Sequence, residues 1–240
     1  MSLLFGNATS DRVDLGTDTR LTALADLTVF GWVYPTSLIN NRALGRKGTD
    51  TNARAWEVTL NGTGGNFQLI ANSATGTGPD AQIAVTSDTP FSTTSKWYWV
   101  AVVMSWAVST SIYVGDLNTL AVARTLSGGG QLGNGAQAGD TGGPLIIGNR
   151  DNYDRAFPGR IGVFGCVPAI LTLNEVRVLQ DDPNGLGGPL YWLGEDGASV
   201  VKDRSGGGID GTVTGATVAP FVPIGRRRVT TTALQRAALW

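Results

Sequence analysis

Three glutamates, one cysteine and no histidine limit the catalytic chemistry open to this sequence of 240 residues. Without histidine, neither a Ser-His-Asp triad nor an HExxH zinc site is available. Cys166 alone can build neither a cysteine-rich zinc site nor an internal disulfide, and its apolar neighbours predict a small buried side chain. Glycoside hydrolysis, which needs only two carboxylates, is the enzymatic reaction that the composition leaves open.

The glutamates do not have the spacing of a carboxylate pair. Glu57, Glu175 and Glu195 are far apart in the sequence. Glu57 lies in a segment of alternating polarity, where we expect it to face solvent, and Glu175 occupies the acidic position of a helix-capping motif. We therefore expect no catalytic residue and no enzymatic activity, and a hydrolase is the weakest of the functional alternatives.

A short polar run is the strongest candidate for a ligand site. It combines carboxylate and amide oxygens, which suit a hard cation, with an aromatic ring on which a sugar can stack. An arginine directly precedes the run and another follows it, and two cations beside the site lower its affinity for a metal ion. An ordinary turn with Arg–Asp pairs is the alternative. We expect no cofactor, with calcium as the weaker hypothesis and a glycan as the candidate ligand. The run consists of Asp151, Asn152, Tyr153 and Asp154.

The charge balance and the apolar pattern argue against two classes of partner. The sequence has 18 basic and 19 acidic residues, without the basic excess typical of nucleic-acid-binding domains. The longest apolar stretch, residues 97–108, is too short for a membrane-spanning helix, which needs about 20 residues. Within it, Trp97 and Trp99 fall on one face of a strand and are expected in a core. We predict neither a nucleic-acid nor a membrane partner.

The C-terminal residues differ from the rest of the chain. Residues 226–240 carry four arginines and no acid, so this arm has a charge of +4 and the remaining chain a charge of −5. Apolar side chains beside arginines are typical of interface hot spots, although a disordered end is the alternative. We predict that the arm binds a second copy of the chain, another virion or capsid protein, or its own domain. The candidate residues are Arg226, Arg227, Arg228, Leu239 and Trp240.

The order of short segments predicts an all-β fold. More than ten β-rich runs are separated by glycine-rich turns, which indicates a sandwich or barrel of antiparallel strands. Residues 55–60 and 66–70 form an expected hairpin whose first strand ends at Asn61-Gly62. The only helix signal is the capping box Thr172-Leu173-Asn174-Glu175. Residues 127–143, which are rich in glycine, are expected to form a long loop.

Eight segments follow one another in a recognisable order, namely 10–16, 26–37, 97–103, 112–116, 144–148, 159–161, 171–179 and 191–217. Taken in this order, they resemble the LamG-like branch of the concanavalin A-like lectin/glucanase superfamily. The resemblance covers about residues 8–222 and implies an antiparallel two-sheet jelly-roll sandwich with one short helix. We accordingly expect a domain at 1–225 and an arm at 226–240. The piece at 191–217 precedes the domain in many relatives, so the terminal strand is expected to be permuted or supplied differently.

This resemblance implies a fold and leaves the function open, because the fold hosts lectins, glucanases, adhesion modules and virion proteins. The Glu-x-Asp-x-x-Glu run of the glucanases is absent, and Gly162 and Val163 replace the usual acidic pair. The N-terminal residues lack the features of a secretory signal. The first hypothesis is a virion surface protein, for capsid decoration or adhesion, made in the host cytoplasm. The alternative is an extracellular, secreted carbohydrate-binding module, with or without calcium.

Overall fold

Sixteen strands and one α-helix make up the regular structure of the described residues. The computed structural model describes residues 2–6, 8–17, 19–22, 24–37, 39, 41–49, 54–63, 66–75, 78–85, 93–106, 109–126, 143–186, 190–193 and 199–220. The first eight strands are β1 (Ser2–Gly6), β2 (Arg12–Asp14), β3 (Asp26–Pro35), β4 (Arg42–Gly48), β5 (Arg54–Thr63), β6 (Asn66–Thr75), β7 (Gly78–Val85) and β8 (Tyr98–Ser105). The others are β9 (Thr110–Asp116), β10 (Val122–Ala123), β11 (Leu145–Ile147), β12 (Pro158–Val167), β13 (Leu190–Leu193), β14 (Val200–Val201), β15 (Gly211–Thr214) and β16 (Thr217–Ala219). The helix is α1 (Leu173–Asp181), and a 3₁₀ turn spans Thr19–Leu21.

The strands form two antiparallel sheets of eight, as the jelly-roll prediction requires. The first sheet has the order β10-β9-β8-β3-β12-β1-β16, and β13 also pairs with β12. The second has the order β14-β15-β2-β11-β4-β5-β6-β7. Because β16 lies beside β1, the two ends of the described chain are neighbours in one sheet. The C-terminal piece can therefore follow the domain and still complete its sheet.

Alternation along β3 divides the buried residues into two layers. Leu27, Val29 and Val33 face the second sheet and belong to the main core. Phe30 and Trp32 point to the opposite face and pack beneath α1. Strand side chains alternate between the two faces of a sheet, so a strand covered on both sides is apolar throughout.

The helix covers the outer face of the first sheet. Val176 and Leu179 of α1 pack with Trp97 and Trp99, which confirms that these two tryptophans share a buried face. Gln180 attaches the helix to the β9–β10 turn: its amide nitrogen donates to the carbonyls of Asp116 and Thr119, and its amide oxygen accepts from the N–H of Ala121.

The predicted capping box is present at the start of α1. The Thr172 side chain accepts from the backbone N–H of Glu175, and the Glu175 carboxylate accepts from the backbone N–H of Thr172. We expect Thr172→Ala to lower the free energy of unfolding by about 1 kcal/mol, because the cap is lost while the core under α1 stays intact. Urea unfolding measures the change. A Thr212→Ala control on an exposed strand position should change stability less, and equal losses would contradict the capping role.

Two further expectations have opposite outcomes. The Cys166 side chain is fully buried, as predicted. The hairpin of β5 and β6 exists, but the prediction that its first strand ends at Asn61-Gly62 is wrong. The strands stay paired beyond that point, with Asn61 opposite Gln68 and Thr63 opposite Asn66. An Asn-Gly pair is a strong signal for a hairpin turn, but here both residues also fit a ladder that continues to Thr63.

Two expectations meet the described residues only in part. Among these residues, no helix is long and apolar enough to span a membrane. Apart from Gly143, the glycine-rich stretch 127–143 lies outside them.

Candidate functional site

The loop between β11 and β12, residues 148–157, contains the whole predicted ligand run. Gly148 begins it with a positive φ of 79°, and a side chain there would meet the ring of Phe5, 2.2 Å from an ideal Cβ. Only glycine satisfies both conditions. The loop closes where the N–H of Phe157 donates to the carbonyl of Gly148 at 2.7 Å. Its two ends are therefore held together against the sandwich.

Asn149 fixes the β11–β12 loop to the neighbouring β1–β2 loop. Its amide nitrogen donates to the carbonyls of Thr9 and Asp11 at 2.8 and 3.1 Å. Its amide oxygen accepts from the backbone N–H groups of Arg150 and Arg155 at 2.8 and 3.0 Å. The side chain is fully buried, so these bonds are shielded from water. Sequence reasoning missed this residue. The one available signal was an asparagine directly after a strand-ending glycine.

Two ion pairs hold the loop on the outer face of the second sheet. Arg46 on β4 and Glu57 on β5 lie opposite each other in the sheet, and both are fully buried. Arg46 Nη1 lies 3.2 Å from Asp151 Oδ1, and Arg155 Nη1 lies 3.2 Å from Glu57 Oε1. The loop thus gives each of these two charged side chains of the sheet a partner of opposite charge and covers both from solvent.

The expectation that Glu57 faces solvent is therefore wrong. Glu57 does point away from the main core, as strand alternation requires, but the β11–β12 loop covers that face. A buried carboxylate is tolerated because Arg155 lies within ion-pair distance. Local sequence polarity cannot reveal a cover that comes from 98 residues further along the chain.

Asp154 is also paired with an arginine. Arg150 binds its carboxylate through two guanidinium nitrogens, with a distance of 2.7 Å between Nε and Oδ1. The hydrogen bond from Arg150 lowers the pKa of Asp154 below its ordinary value, although partial burial acts in the opposite direction. Arg42 donates to the backbone carbonyl of Asp154 at 3.4 Å. The predicted alternative of a turn with Arg–Asp pairs is therefore present in the structure.

We expect the Arg150–Asp154 pair to persist throughout the neutral range. A lowered carboxylate pKa adds stability above the ordinary pKa of 3.8, and that stability is lost as the pH falls through the lowered value. Replacing Arg150 by Met should move the Asp154 titration, followed by carboxyl NMR, up towards the ordinary range. Lys202→Met, which removes the partner of Asp210, is the matched control and should leave Asp154 unchanged. An unshifted Asp154 in Arg150→Met would contradict the pairing.

Tyr153 is the exposed aromatic residue of the loop. Its backbone has a φ of 64° and its N–H donates to the carbonyl of Arg150, so a tight turn presents the side chain outward. The guanidinium of Arg12 lies 4.2 Å from the ring centroid, and Asp14 holds Arg12 at 3.2 Å. Tyr153 is nevertheless 40% exposed. The ring is thus supported from one side and open to solvent.

The predicted ligand run does not offer the set of oxygen ligands that a calcium site needs. Calcium needs six to eight oxygen ligands, whereas both carboxylates of the run are engaged by arginines. No group of three or more acidic, histidine or cysteine side chains converges elsewhere in the described part of the chain. Asn152 is exposed and adds one amide to the surface.

The remaining sequence candidates do not join this site. Glu175 lies in the cap of α1, on the first-sheet side of the sandwich, whereas Glu57 lies on the second sheet. These two glutamates therefore do not form a pair for glycoside hydrolysis. Three sets of predicted residues lie outside the described residues, namely Glu195, Arg226 to Arg228, and Leu239 with Trp240.

Several solved structures are similar to this chain, and the first of those below shares its fold. A proposed carbohydrate-binding protein from Bacteroides ovatus is 19% identical, with a TM-score of 0.61 over 92% of this chain and 59% of its own. A heptameric SAP-like pentraxin from Limulus polyphemus is 15% identical, with a TM-score of 0.49 over 71% of this chain and 82% of its own. Domains LG4-5 of the mouse laminin alpha1 chain are 11% identical, with a TM-score of 0.43 over 72% of this chain and 43% of their own. The present chain thus spans little more than half of the Bacteroides protein, and no curated protein matches its sequence significantly.

A family model matches most of the sandwich. The Laminin_G_3 model, described as concanavalin A-like lectin/glucanases superfamily, matches residues 6–177. The match extends from β1 into α1 and includes the β11–β12 loop, and it confirms the resemblance and the jelly-roll class expected from the sequence. The chain belongs to the Laminin_G_3 family of the concanavalin A-like lectin/glucanases superfamily.

Proposed function

We propose that the chain is a non-enzymatic binding module that binds a carbohydrate on the β11–β12 loop. The observation that carries the proposal is the exposed ring of Tyr153, which is held in place by Arg12 on a loop fixed by buried bonds. An aromatic ring provides an apolar face on which a sugar ring can stack. The ring face turned away from Arg12 is the proposed contact.

Rigidity of the loop supports this proposal. A binding surface loses less conformational entropy when its groups are already ordered before the ligand arrives. Asn149 orders the loop through four hydrogen bonds, and Asp151 and Arg155 attach it to the second sheet. The Tyr153 ring is therefore presented by buried interactions below it, without help from a ligand.

Polar groups around the ring provide directional contacts. The Asp154 carboxylate is partly exposed while Arg150 holds it, so it can accept from a sugar hydroxyl in a fixed geometry. Asn152 is exposed beside it and carries both a donor and an acceptor. Asp151 lies deeper, because it pairs with Arg46. One apolar platform with a few convergent polar groups is the usual composition of a small-molecule site.

The comparisons are compatible with this function at the level of fold. The Bacteroides protein carries a proposed carbohydrate-binding role, and this chain spans 59% of its length. Family membership alone does not separate binding from catalysis. The positions of Glu57 and Glu175 favour binding, because these two carboxylates do not form a pair.

A glycan array followed by calorimetry tests the proposal. For a glycan that binds, Tyr153→Ala should weaken affinity about tenfold or more, since stacking contributes on the order of 1 kcal/mol beyond area burial. Tyr153→Phe, which keeps the ring, should retain most of the affinity. Val122→Ala, at an exposed apolar position on the first sheet, is the control. A chelator should have no effect. Unchanged affinity in Tyr153→Ala, or the absence of any glycan ligand, would overturn the proposal.

A virion surface protein, for capsid decoration or adhesion, is the second proposal. Its support is the charge of the arm, because Arg226, Arg227 and Arg228 form a compact basic group in a chain that is otherwise acidic. Such a group suits an acidic surface on another subunit. Light scattering of the full chain should show assembly that Arg226–Arg228→Gln variants lose. A chain that stays monomeric in both forms would contradict this role.

A further inference from the structure

The C-terminal end of α1 carries acids where the helix macrodipole favours bases. Asp181 is the last helical residue and Asp182 the C-cap, both are exposed, and the last turn contains no basic residue. The carbonyl end of a helix has an effective negative charge of about half a unit, so cations stabilise it and anions do not. Arg177, one turn earlier, is directed to the carbonyl of Ala121 at 2.9 Å. The helix therefore ends in two acidic side chains, of which Asp182 also accepts from the backbone N–H of Asn184 at 2.9 Å.

An exposed apolar side chain lies beside these acids. Val178 precedes Asp181 by three residues, so both lie on the same face of α1. Val178 is 40% exposed, although the turn after the helix approaches it at Gly185. We name Val178, Asp181 and Asp182 the α1-end surface. It combines an apolar contact with two negative charges.

We propose that the α1-end surface binds the last residues of the chain's own C-terminal arm. The sequence continues for 20 residues beyond Pro220, of which the arm is 226–240, and the charged side chains in this stretch are all arginines. Its last five residues are Arg236, Ala237, Ala238, Leu239 and Trp240. Arg236 pairs with the two aspartates, and Leu239 and Trp240 cover Val178. A basic side chain of the arm thus meets the acidic side chains of the surface, and apolar side chains of the arm meet the apolar one.

The register of the first sheet shows that this contact is within reach. Asp116, at the β9 end beside Gln180 of α1, lies in the same cross-strand row as Val218 of β16. Five strand spacings separate β9 from β16, which is about 24 Å. From Pro220, the 16 residues to Arg236 can span up to about 55 Å when extended. Arg226 to Arg228 reach at most about 20–28 Å, so the end of the arm fits this surface better than its beginning.

Docking within one chain is favoured over docking onto a second copy. A tethered segment has an effective concentration in the millimolar range when its linker can span the sites, which exceeds the usual concentration of a second molecule. The proposal therefore assigns Arg236, Leu239 and Trp240 to the chain's own surface. Arg226, Arg227 and Arg228 stay available for another partner.

Paramagnetic labelling of the full chain tests the proposal. In the variant Ala238→Cys, a thiol-reactive nitroxide reagent labels the new cysteine selectively, because Cys166 is fully buried. In ¹⁵N-labelled protein, the amide signals of Val178, Asp181 and Asp182 should lose most of their intensity. The loss should disappear in Asp181→Asn/Asp182→Asn, in Arg236→Gln, and near 1 M salt, where the Debye length is about 3 Å. Asp210→Asn, an exposed acid elsewhere, is the control and should keep the loss.

The same experiment distinguishes the other occupants. In a second sample, spin-labelled protein without ¹⁵N is mixed with ¹⁵N-labelled protein that carries no spin label. Broadening in this sample reports only contacts between chains. Broadening of the α1-end signals in this mixture shows a second copy on the surface and overturns docking within one chain. Absence of broadening in both samples, or broadening that persists in Asp181→Asn/Asp182→Asn, overturns the proposal altogether.

Discussion

Replacing Glu57 by Gln is expected to lower the free energy of unfolding by about 3–5 kcal/mol, the range for removing one partner of a buried ion pair. Glu57 is fully buried on the outer face of the second sheet, and Arg155 lies 3.2 Å away. Glutamine keeps the shape but removes the charge, so Arg155 loses its partner beneath the loop while Arg46 stays buried next to it. Urea unfolding, with an unchanged dependence on urea concentration, measures the loss.

A double variant distinguishes the interaction between Glu57 and Arg155 from separate effects of the two charges. Glu57→Leu/Arg155→Met removes both charges, and replacing a buried ion pair by apolar side chains is often close to neutral. We therefore expect the double variant to recover most of the stability lost in Glu57→Gln. A double variant as unstable as the single one would show that the two charges act independently, contrary to the structure.

Asn149→Leu is expected to cost about 3 kcal/mol, since each buried polar group left without a partner costs about 1–3 kcal/mol and the loop can relax in part. Leucine has a similar size but none of the four hydrogen bonds of the amide. The carbonyls of Thr9 and Asp11 and the N–H groups of Arg150 and Arg155 would then lose their partners. Urea unfolding gives the loss of stability.

Amide hydrogen exchange locates the effect of this substitution. Exchange should accelerate first in residues 148–157, and the glycan affinity carried by Tyr153 should fall with it. Asn174→Leu replaces an exposed asparagine on α1 and should change stability by less than about 0.5 kcal/mol. Acceleration spread evenly over both sheets would contradict a local role for Asn149.

The features that follow from local rules were predictable from the sequence. The capping box of α1 is present, because its hydrogen bonds join residues three apart. The buried face of Trp97 and Trp99 follows from the two-residue period of a strand. The Arg150–Asp154 pair, an alternative raised from the sequence, joins residues four apart. In each case the residues concerned are at most four positions apart in the sequence.

The features that failed prediction depend on distant parts of the chain. Glu57 meets Arg155 across 98 residues, and Asn149 meets Thr9 across 140. The strand end predicted at Asn61-Gly62 fails for a related reason, because the ladder with β6 continues past it. Polarity of neighbours in sequence carries no information about these contacts.

The sequence by itself determined the class of fold, the family and the position of the candidate ligand run at 151–154. It also excluded histidine-based catalysis, since the residues needed are absent. Only the tertiary structure decided which charges are buried, which loop covers the second sheet and which ring is presented to solvent. The physical reason is that burial is a property of both surfaces in contact. Arg46 and Glu57 become buried because the β11–β12 loop, which is distant in the sequence, brings Asp151 and Arg155 onto them.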